Sequence, residues 1–220
     1  WVRNDFDLAG IPGFDGTPDV GEAYNTPGEP NMAVSAETVD PVINEFSAST
    51  TGTDVEYIEI YGDPETDYSA YTMLEIEGDY SGTQTGTIDE VIPLGTTDAN
   101  GLYFVDPAGS LENGTITLLL VKDFTGALGD DLDTDEDGTL DGTPWSAIVD
   151  AVAVYDGYDD GDESDLTYGT PILGPNYDGL SSFAPGGASR IPDGYDTDAV
   201  TDWVRNDFDL AGIPGFDGTP

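Results

Sequence analysis

The chain has 220 residues, of which 46 are acidic and four are basic, so its formal net charge is −42. This balance excludes nucleic acid as a partner, because phosphate binding needs clustered Lys and Arg. The absence of Cys and His excludes disulfides, thiolate zinc sites and His-dependent triads, and no apolar run is long enough for membrane insertion.

The first predicted element occurs twice. Residues 1–18, WVRNDFDLAGIPGFDGTP, return letter for letter as residues 203–220, at an offset of 202 residues. A copy of this length indicates a tandem array seen through a window slightly longer than one period. Residues 1–31 are therefore predicted to be the C-terminal strand and linker of a preceding repeat. Residues 32–220 are predicted to form one domain that ends in the second copy, with Trp203 and Val204 on its last strand.

From residue 41 onward, short β-prone runs alternate with turn residues, which predicts an all-β sandwich or barrel. Two Asn-Gly pairs, at residues 100–101 and 113–114, predict hairpin turns between successive strands. No stretch has the pattern of an amphipathic helix of three turns. The predicted strands are residues 42–46, 55–61, 71–77, 86–93, 102–105, 115–122 and 147–155.

Residues 115–122 carry the strongest strand pattern. Apolar side chains occupy both faces, because they stand at consecutive positions from Leu118 to Val121. A strand that is apolar on both faces is typical of a sheet interior. We therefore expect this strand to lie in the centre of a sheet.

A series of short motifs, taken together, resembles the bacterial lamin tail domain. The resemblance spans nearly the whole period. It implies an immunoglobulin-like β-sandwich on a secreted or surface protein, often beside a nuclease, phosphoesterase or other extracellular module, in a family that is not itself catalytic. The motifs are VINEF (42–46), EYIEIYG (56–62), YTMLEIEGD (71–79), IVDAVAVYD (148–156), SRIPDGYDT (189–197), DWVRN (202–206) and NTPGEPN (25–31).

Two departures from that family bear on the organisation of the chain. NTPGEPN follows the last strand in the family, but here it precedes the strands, which agrees with the assignment of residues 1–31 to a preceding repeat. The acidic insertion around residues 123–165 exceeds a minimal lamin tail. The resemblance therefore implies nothing about the role of this insertion.

Within the insertion lies the sharpest local motif, DLDTDEDGTLDG at residues 131–142. Its Asp residues have the spacing of positions 1, 3, 5 and 9 of a calcium loop, and Gly138 at position 6 permits the sharp turn. Alternate carboxylates of this kind converge on one cation, which predicts bound Ca²⁺. The predicted ligands are the carboxylates of Asp133, Asp135, Asp137 and Asp141 and the backbone carbonyl of Thr139.

The motif is not a complete EF-hand. Position 12 holds Pro144 in place of the usual Glu, and no helical pattern flanks the loop. We expect the missing ligand to come from Asp130, Asp131 or elsewhere, with low affinity. The alternative is a solvated acidic loop without a metal.

Two further acidic runs are weaker metal candidates. Residues 156–165, DGYDDGDESD, fit no specific loop, so a solvated surface is the favoured interpretation. Near Arg190, an ion pair competes with calcium for a second set of carboxylates. That set is Asp193, Asp196 and Asp198.

The charge density supports a requirement for cations. Residues 123–165 contain 15 acidic side chains and no Lys or Arg, and 33 of the 46 acidic residues in the chain are Asp, the carboxylate favoured in turns and calcium loops. Self-repulsion at this density destabilises a compact chain unless cations or salt screen it. We therefore expect an extracellular or cell-surface location.

Catalysis is not expected, because the sequence shows no nucleophile and base constellation. Glu45, Glu56 and Glu59 lie on predicted strands, and we interpret them as structural. The lone lysine, Lys122, is interpreted as an ion-pair partner, with an intramolecular isopeptide bond as the weaker alternative. Sugar stacking competes with core packing for a group of aromatic residues beside the insertion. They are Trp145, Tyr155, Tyr158 and Tyr168.

Together these patterns predict a structural protein. The expected unit is a calcium-stabilised sandwich repeated along an extracellular or surface fibre, with copies of itself as partners. Near-identical repeats offer identical surfaces, and a head-to-tail contact that does not close generates a filament. The alternative is a non-catalytic binding or accessory module for a glycan, mineral or other surface, repeated on a large secreted enzyme or adhesin.

Overall fold

The computed structural model describes residues 39–50, 52, 55–80, 85–105, 111–157 and 164–206, and isolated residues before position 28. Contacts divide the chain into two compact units, Trp1–Val39 and Asp40–Pro220. Residues 28–38 lie outside the described residues, so the predicted boundary after residue 31 stays a prediction. Most of the second copy, residues 207–220, also lies outside them. In the first unit, β1 (Arg3–Asn4) and β2 (Glu22–Ala23) pair in parallel.

The second unit consists of two packed five-stranded sheets. The first sheet has the order β10-β9-β8-β5-β6, and the second has the order β12-β11-β3-β4-β7. The prediction of an all-β sandwich is confirmed, while the immunoglobulin-like topology stays a prediction. The strands are β3 (Val42–Ser47), β4 (Tyr57–Tyr61), β5 (Tyr71–Glu77), β6 (Ile88–Pro93), β7 (Leu102–Val105), β8 (Ile116–Lys122), β9 (Ala147–Val154), β10 (Ile172–Leu173), β11 (Gly187–Arg190) and β12 (Trp203–Arg205), the last preceded by a 3-10 helix, Val200–Asp202.

All seven predicted strands are present, and β5 and β7 have the predicted bounds. The last strand, β12, carries Trp203 and Val204 as expected. Strands β10 and β11, which have two and four residues, were not predicted. Strands this short show no alternation of apolar and polar residues that a sequence pattern can reveal.

Strand β8 lies in the middle of the first sheet, as its two apolar faces predict. Ile116, Leu118 and Leu120 point into the core between the sheets. Leu119 and Val121 point to the opposite face, where they join a second apolar cluster that we call the outer core. The first sheet is therefore buried on both faces around β8, and the outer core needs a cover of its own.

The hairpin prediction at the two Asn-Gly pairs is wrong. Residues 100–101 join β6 to β7, and residues 113–114 join β7 to β8, but both connections cross from one sheet to the other. At the first turn, the Asp98 carboxylate accepts the backbone N–H groups of Asn100 and Leu102 at 2.7 and 2.9 Å, and Gly101 has φ of 87°. This chemistry reverses the chain but does not select the partner strand.

A buried ion pair connects the two sheets through their interior. Arg190 on β11 donates from Nη2 to both carboxylate oxygens of Asp150 on β9, at 2.9 and 3.1 Å, and both side chains are buried. Asp150 also accepts the backbone N–H of Ile43 on β3 at 2.7 Å. The guanidinium lies over the Trp203 ring, 4.7 Å from its centroid. Strands β3, β9, β11 and β12 therefore meet at one charged pair.

We predict that Arg190→Met lowers the free energy of unfolding by about 3–5 kcal/mol, because it leaves the Asp150 carboxylate buried without its partner. Arg205→Met is the matched control, since Arg205 pairs with Asp178 at 2.9 Å on the partly exposed side of β12. Its loss should be about 1 kcal/mol. Urea unfolding measures both. Equal losses in the two variants would contradict a special role for the inter-sheet pair.

Candidate metal centre

The connection between β8 and β9 lies over the outer core of the first sheet. Its Leu132 is buried in this core, and Leu140 and Trp145 pack against it. Backbone hydrogen bonds hold the connection to the start of β6, from Leu132 N to the Gly86 carbonyl and from Ile88 N to the Asp130 carbonyl, both 3.0 Å. The acidic insertion is therefore a packed cover in which apolar residues anchor the carboxylates.

Asp133 is the buried centre of the predicted calcium loop. Its carboxylate accepts the backbone N–H groups of Asp137 at 3.1 Å and Gly138 at 2.8 Å, and the hydroxyl of Tyr168 at 2.9 Å. Gly138 has φ of 82°, the left-handed conformation that a sharp turn at this position requires. Burial and the neighbouring Asp133 raise the pKa of Tyr168, which keeps this hydroxyl a donor.

The structure brings three of the predicted ligands together. One carboxylate oxygen each from Asp133, Asp135 and Asp141 lies within 4.8 Å of the others. The charge of Asp137 raises the pKa of Asp135. Loss of hydration around its carboxylate and the charges of Asp141 and Asp133 act in the same direction. Hydrogen bonds from Thr134 lower the pKa of Asp141. We call Asp133, Asp135 and Asp141 the loop group. An all-oxygen set of this kind suits a hard cation such as Ca²⁺.

The other predicted ligands are placed differently. Asp137 accepts the backbone N–H of Thr139 at 2.9 Å and lies outside the loop group. Ligation by Asp137 and by the Thr139 carbonyl stays a prediction. Asp130 and Asp131 accept the N–H groups of Ala127 and Asp133 at 2.8 and 3.1 Å, so both stabilise local turns.

Glu136 is a residue that the sequence analysis missed. Its Oε2 atom is buried and has no hydrogen-bond partner among the described residues. Its charge contributes to the raised pKa of Tyr168, which places the carboxylate near the Asp133 and Tyr168 pair. Position 4 of a calcium loop is not a ligand position, so the spacing of the motif gave no signal for it.

The acidic run near Arg190 forms an ion pair. Arg190 Nη1 lies 2.7 Å from Asp196, while Asp193 accepts a hydrogen bond from the Asn44 side chain at 3.3 Å. The backbone N–H of Asp198 donates to Asp196 at 3.0 Å. Among the described residues, these three carboxylates do not form a group that can hold a metal.

In the run at residues 156–165, the first and last carboxylates do belong to a group that could hold a metal. Asp156 and Asp165 lie close to Asp79, a residue that the sequence analysis did not single out. One oxygen of each carboxylate lies within 4.8 Å of the others. Residues 158–163, in the middle of the run, lie outside the described residues.

The aromatic residues beside the insertion serve packing where the structure describes their roles. Trp145 packs against the outer core, and Tyr168 is buried within it. Tyr158 lies outside the described residues. Lys122 forms an ion pair at 3.6 Å with Asp40 and donates to the Tyr71 hydroxyl at 3.0 Å, which agrees with its interpretation as an ion-pair partner.

Glu75 on β5 is a buried carboxylate inside the sandwich, 1% exposed. Its Oε1 accepts the backbone N–H of Glu112 at 2.7 Å, and its Oε2 has no hydrogen-bond partner among the described residues. Burial raises the pKa of Glu75 to about 8, and the charges of Asp89, Glu112 and Glu90 act in the same direction. The ionised form of Glu75 is therefore costly in the folded protein.

Comparisons with protein-family models, with curated proteins and with solved structures give no match for this chain. The resemblance to the lamin tail domain therefore stays a prediction. None of the described helices has the length and apolar character needed to cross a membrane.

We predict that, with divalent cations chelated, stability falls as the pH rises from about 4.5 to about 8. In this window the unfolded Glu75, with an ordinary pKa of about 4.3, has lost its proton while the folded Glu75 still holds it, so the folded state binds more protons. Glu75→Gln should reduce this slope and stabilise the protein at pH 8. Urea unfolding at pH 5 and pH 8 measures the effect.

The control for that measurement is Glu65→Gln, which removes the same charge from an exposed loop side chain. It should leave the slope unchanged. A slope in Glu75→Gln equal to that of the unsubstituted protein would contradict the assignment of the costly charge to Glu75.

Proposed function

We propose that this chain is a structural repeat of an extracellular or cell-surface assembly, in which calcium-stabilised sandwiches join head to tail. The observation that carries the proposal is the identity of residues 1–18 and 203–220. A tandem array with a period of 202 residues accounts for it, and copies of one module then meet through the same surfaces.

Strand β12 supports a specific mode of joining. It lies at an edge of the second sheet, where one side pairs with β11 and the other has no partner strand among the described residues. The first copy of the same sequence places Arg3 and Asn4 beside Glu22 and Ala23 in a parallel pair. Because identical sequences can take identical partners, Arg205 and the residue after it can pair with the Glu22–Ala23 strand of another copy, in exchange for the Arg3–Asn4 strand of that copy.

The surface beside β12 also supports a partner there. Arg205 holds residues 178–183 next to this strand, with Nε 2.9 Å from Asp178 and Nη2 3.1 Å from the Phe183 carbonyl. Leu180, Phe183 and Val204 are 85%, 66% and 49% exposed. Apolar side chains beside an open strand edge favour a covering partner over free solvent.

Calcium is part of the proposal for two reasons. The loop group offers it oxygen ligands, and the chain carries a large negative charge. A chain with a net charge of −42 repels its own copies, and a filament of such repeats concentrates that charge. Divalent cations bound by Asp133, Asp135 and Asp141 reduce the repulsion and hold the cover on the outer core. An exterior rich in calcium or salt fits this requirement.

The positions of the sequence motifs support a lamin-tail-like, non-catalytic module. VINEF lies on β3, EYIEIYG on β4, YTMLEIEGD on β5 and the adjoining turn, and DWVRN on β12. These motifs therefore lie on strands of a two-sheet sandwich, which is the architecture that the resemblance implies in its coarser form.

One observation favours the alternative of a binding or accessory module of a secreted enzyme or adhesin. A groove of about 520 Å³ lies beside β12 and is lined by residues that include Thr50, Phe183, Ala184 and Asn206. If the groove takes a glycan or another surface, single repeats should bind that ligand without assembling. Imaging of the native material for filaments and a polymer-binding screen with single repeats separate the two functions.

We predict that deletion of residues 1–31 leaves a folded protein that no longer associates. Asp40–Pro220 forms its own compact unit, so folding should survive, whereas the added strand for β12 is lost. Sedimentation velocity across a concentration series measures association. A variant with residues 19–31 in scrambled order is the control of equal length and should also fail to associate. Unchanged association after deletion would contradict joining through this segment.

We predict that chelation of calcium at fixed ionic strength lowers the melting temperature, and that Asp135→Asn reproduces part of the loss. Asp135 belongs to the loop group, and its substitution removes a ligand charge without changing the side-chain shape. Asp67→Asn, in a loop away from this group, is the control and should respond to calcium as the unsubstituted protein does. Equal melting curves with calcium and with chelator would remove calcium from the proposal.

A further inference from the structure

A second concentration of carboxylates lies at one end of the first sheet, where β5 ends, β8 begins and β9 ends. It consists of two overlapping groups, each with one oxygen per residue within 4.8 Å of the others. Glu77, Asp79 and Glu112 form one group, and Asp79, Asp156 and Asp165 form the other. Asp79 belongs to both, so the five residues make one continuous cluster, which we call the Asp79 cluster.

Backbone donors fix the carboxylates of the Asp79 cluster in place. Asp79 accepts the N–H of Thr115 at 2.7 Å, and Glu77 accepts the N–H of Asp79 at 2.7 Å. Asp165 accepts the N–H of Tyr80 at 2.8 Å. The ligand atoms are therefore held by backbone donors from two parts of the sheet end, residues 79–80 and residue 115, as in a preorganised site.

The hydroxyl of Thr115 lies between two of these carboxylates. Its Oγ1 is 2.9 Å from Asp156 Oδ1 and 3.0 Å from Asp165 Oδ2. A hydroxyl carries one hydrogen, so it serves only one of the two carboxylates at a time. One oxygen each of Asp79, Asp156 and Asp165 lies within 4.8 Å of the others, and carboxylates this close repel one another unless a proton or a cation lies between them.

The basic residues of the second unit are engaged elsewhere. Lys122 lies at the opposite end of β8 from Thr115 and contacts Tyr71 and Asp40. Arg190 pairs with Asp150 in the core, and Arg205 pairs with Asp178 beside β12. These ion pairs do not include any member of the Asp79 cluster.

Glu75 is a second buried carboxylate beside the Asp79 cluster, and its environment favours a nearby cation. It lies two residues before Glu77 on the same face of β5, is 1% exposed, and directs Oε1 to the backbone N–H of Glu112. Its Oε2 is buried without a partner among the described residues. The carboxylate is thus aimed at the segment that carries Glu112 into the cluster. Ionisation of Glu75 at this buried place is costly unless a cation lies nearby.

We propose that the Asp79 cluster is a calcium site separate from the loop group, with Asp79 as its shared central ligand. Calcium fits better than magnesium, because Ca²⁺ accepts six to eight oxygens in irregular arrangements, whereas Mg²⁺ requires near-ideal octahedral geometry and retains water. Bound calcium joins segments that are far apart in sequence, from Glu77 to Asp165. It therefore stabilises the end of the first sheet directly, whatever the larger assembly does.

The test is a calcium titration of the full chain at high sodium chloride concentration, with ions counted by native mass spectrometry and affinity measured by calorimetry. Asp79→Asn should remove the ions of the Asp79 cluster and retain those of the loop group. Asp135→Asn should do the reverse, and the double variant should lose both sets. Asp67→Asn, outside both groups, is the charge-matched control and should bind as the unsubstituted protein does.

The proposal is overturned if Asp79→Asn binds as many calcium ions with the same affinity as the unsubstituted protein. It is also overturned if magnesium at equal concentration gives the same ion count and the same shift in melting temperature, because that result indicates general screening. Asp156→Asn covers the case in which Asp79→Asn does not fold. Substitution of Asp156, at the rim of the cluster, should weaken calcium affinity there about 10-fold or more. An unchanged affinity contradicts the proposal.

Discussion

The main constraint on this protein is that a compact sandwich must tolerate a net charge of −42, and the placement of its charged residues depends on that constraint. Its basic residues are too few to neutralise the carboxylates, and in the second unit they are used at particular places. Arg190 pairs with Asp150 between the sheets, where an unpaired charge would cost most. Arg205 and Lys122 form ion pairs nearer the surface. Most carboxylates must therefore be stabilised by backbone N–H groups, by protons or by cations.

The backbone supplies the first of these means, and it does so mainly in turns. Asp98 and Asp133 each accept two N–H groups close in sequence, so each charge also shapes its own loop. Several carboxylates meet in the loop group and in the Asp79 cluster, where one oxygen of each residue lies within 4.8 Å of the others in groups of three. Both groups lie beside parts of the first sheet that need support, namely the cover of the outer core and the sheet end. Calcium bound at both places, as proposed above, would stabilise the sandwich directly.

Sequence patterns predicted what is encoded locally. The β-prone runs between turn residues predicted β5 and β7 with their bounds, and the two apolar faces of β8 predicted its central position. Calcium-loop spacing singled out Asp133, Asp135 and Asp141, whose carboxylates the structure brings together, because they lie within one loop, and their binding of calcium stays a prediction. The hairpin assignment failed because an Asn-Gly turn reverses the chain without choosing a sheet. The Asp79 cluster was not predicted because it assembles from positions that are distant in sequence. The role of Glu75 was not predicted because the burial of a charged residue cannot be read from the residue pattern of its strand.

The most direct test of this account is a crystal structure of the full chain grown with calcium, with the ions located by anomalous scattering. The account predicts peaks at two separate places. One lies among Asp133, Asp135 and Asp141, and the other is in contact with the Asp79 carboxylate. Calcium-saturated crystals without a peak at either place, and with the carboxylates in the same positions, would contradict the claim that bound cations stabilise this acidic sandwich.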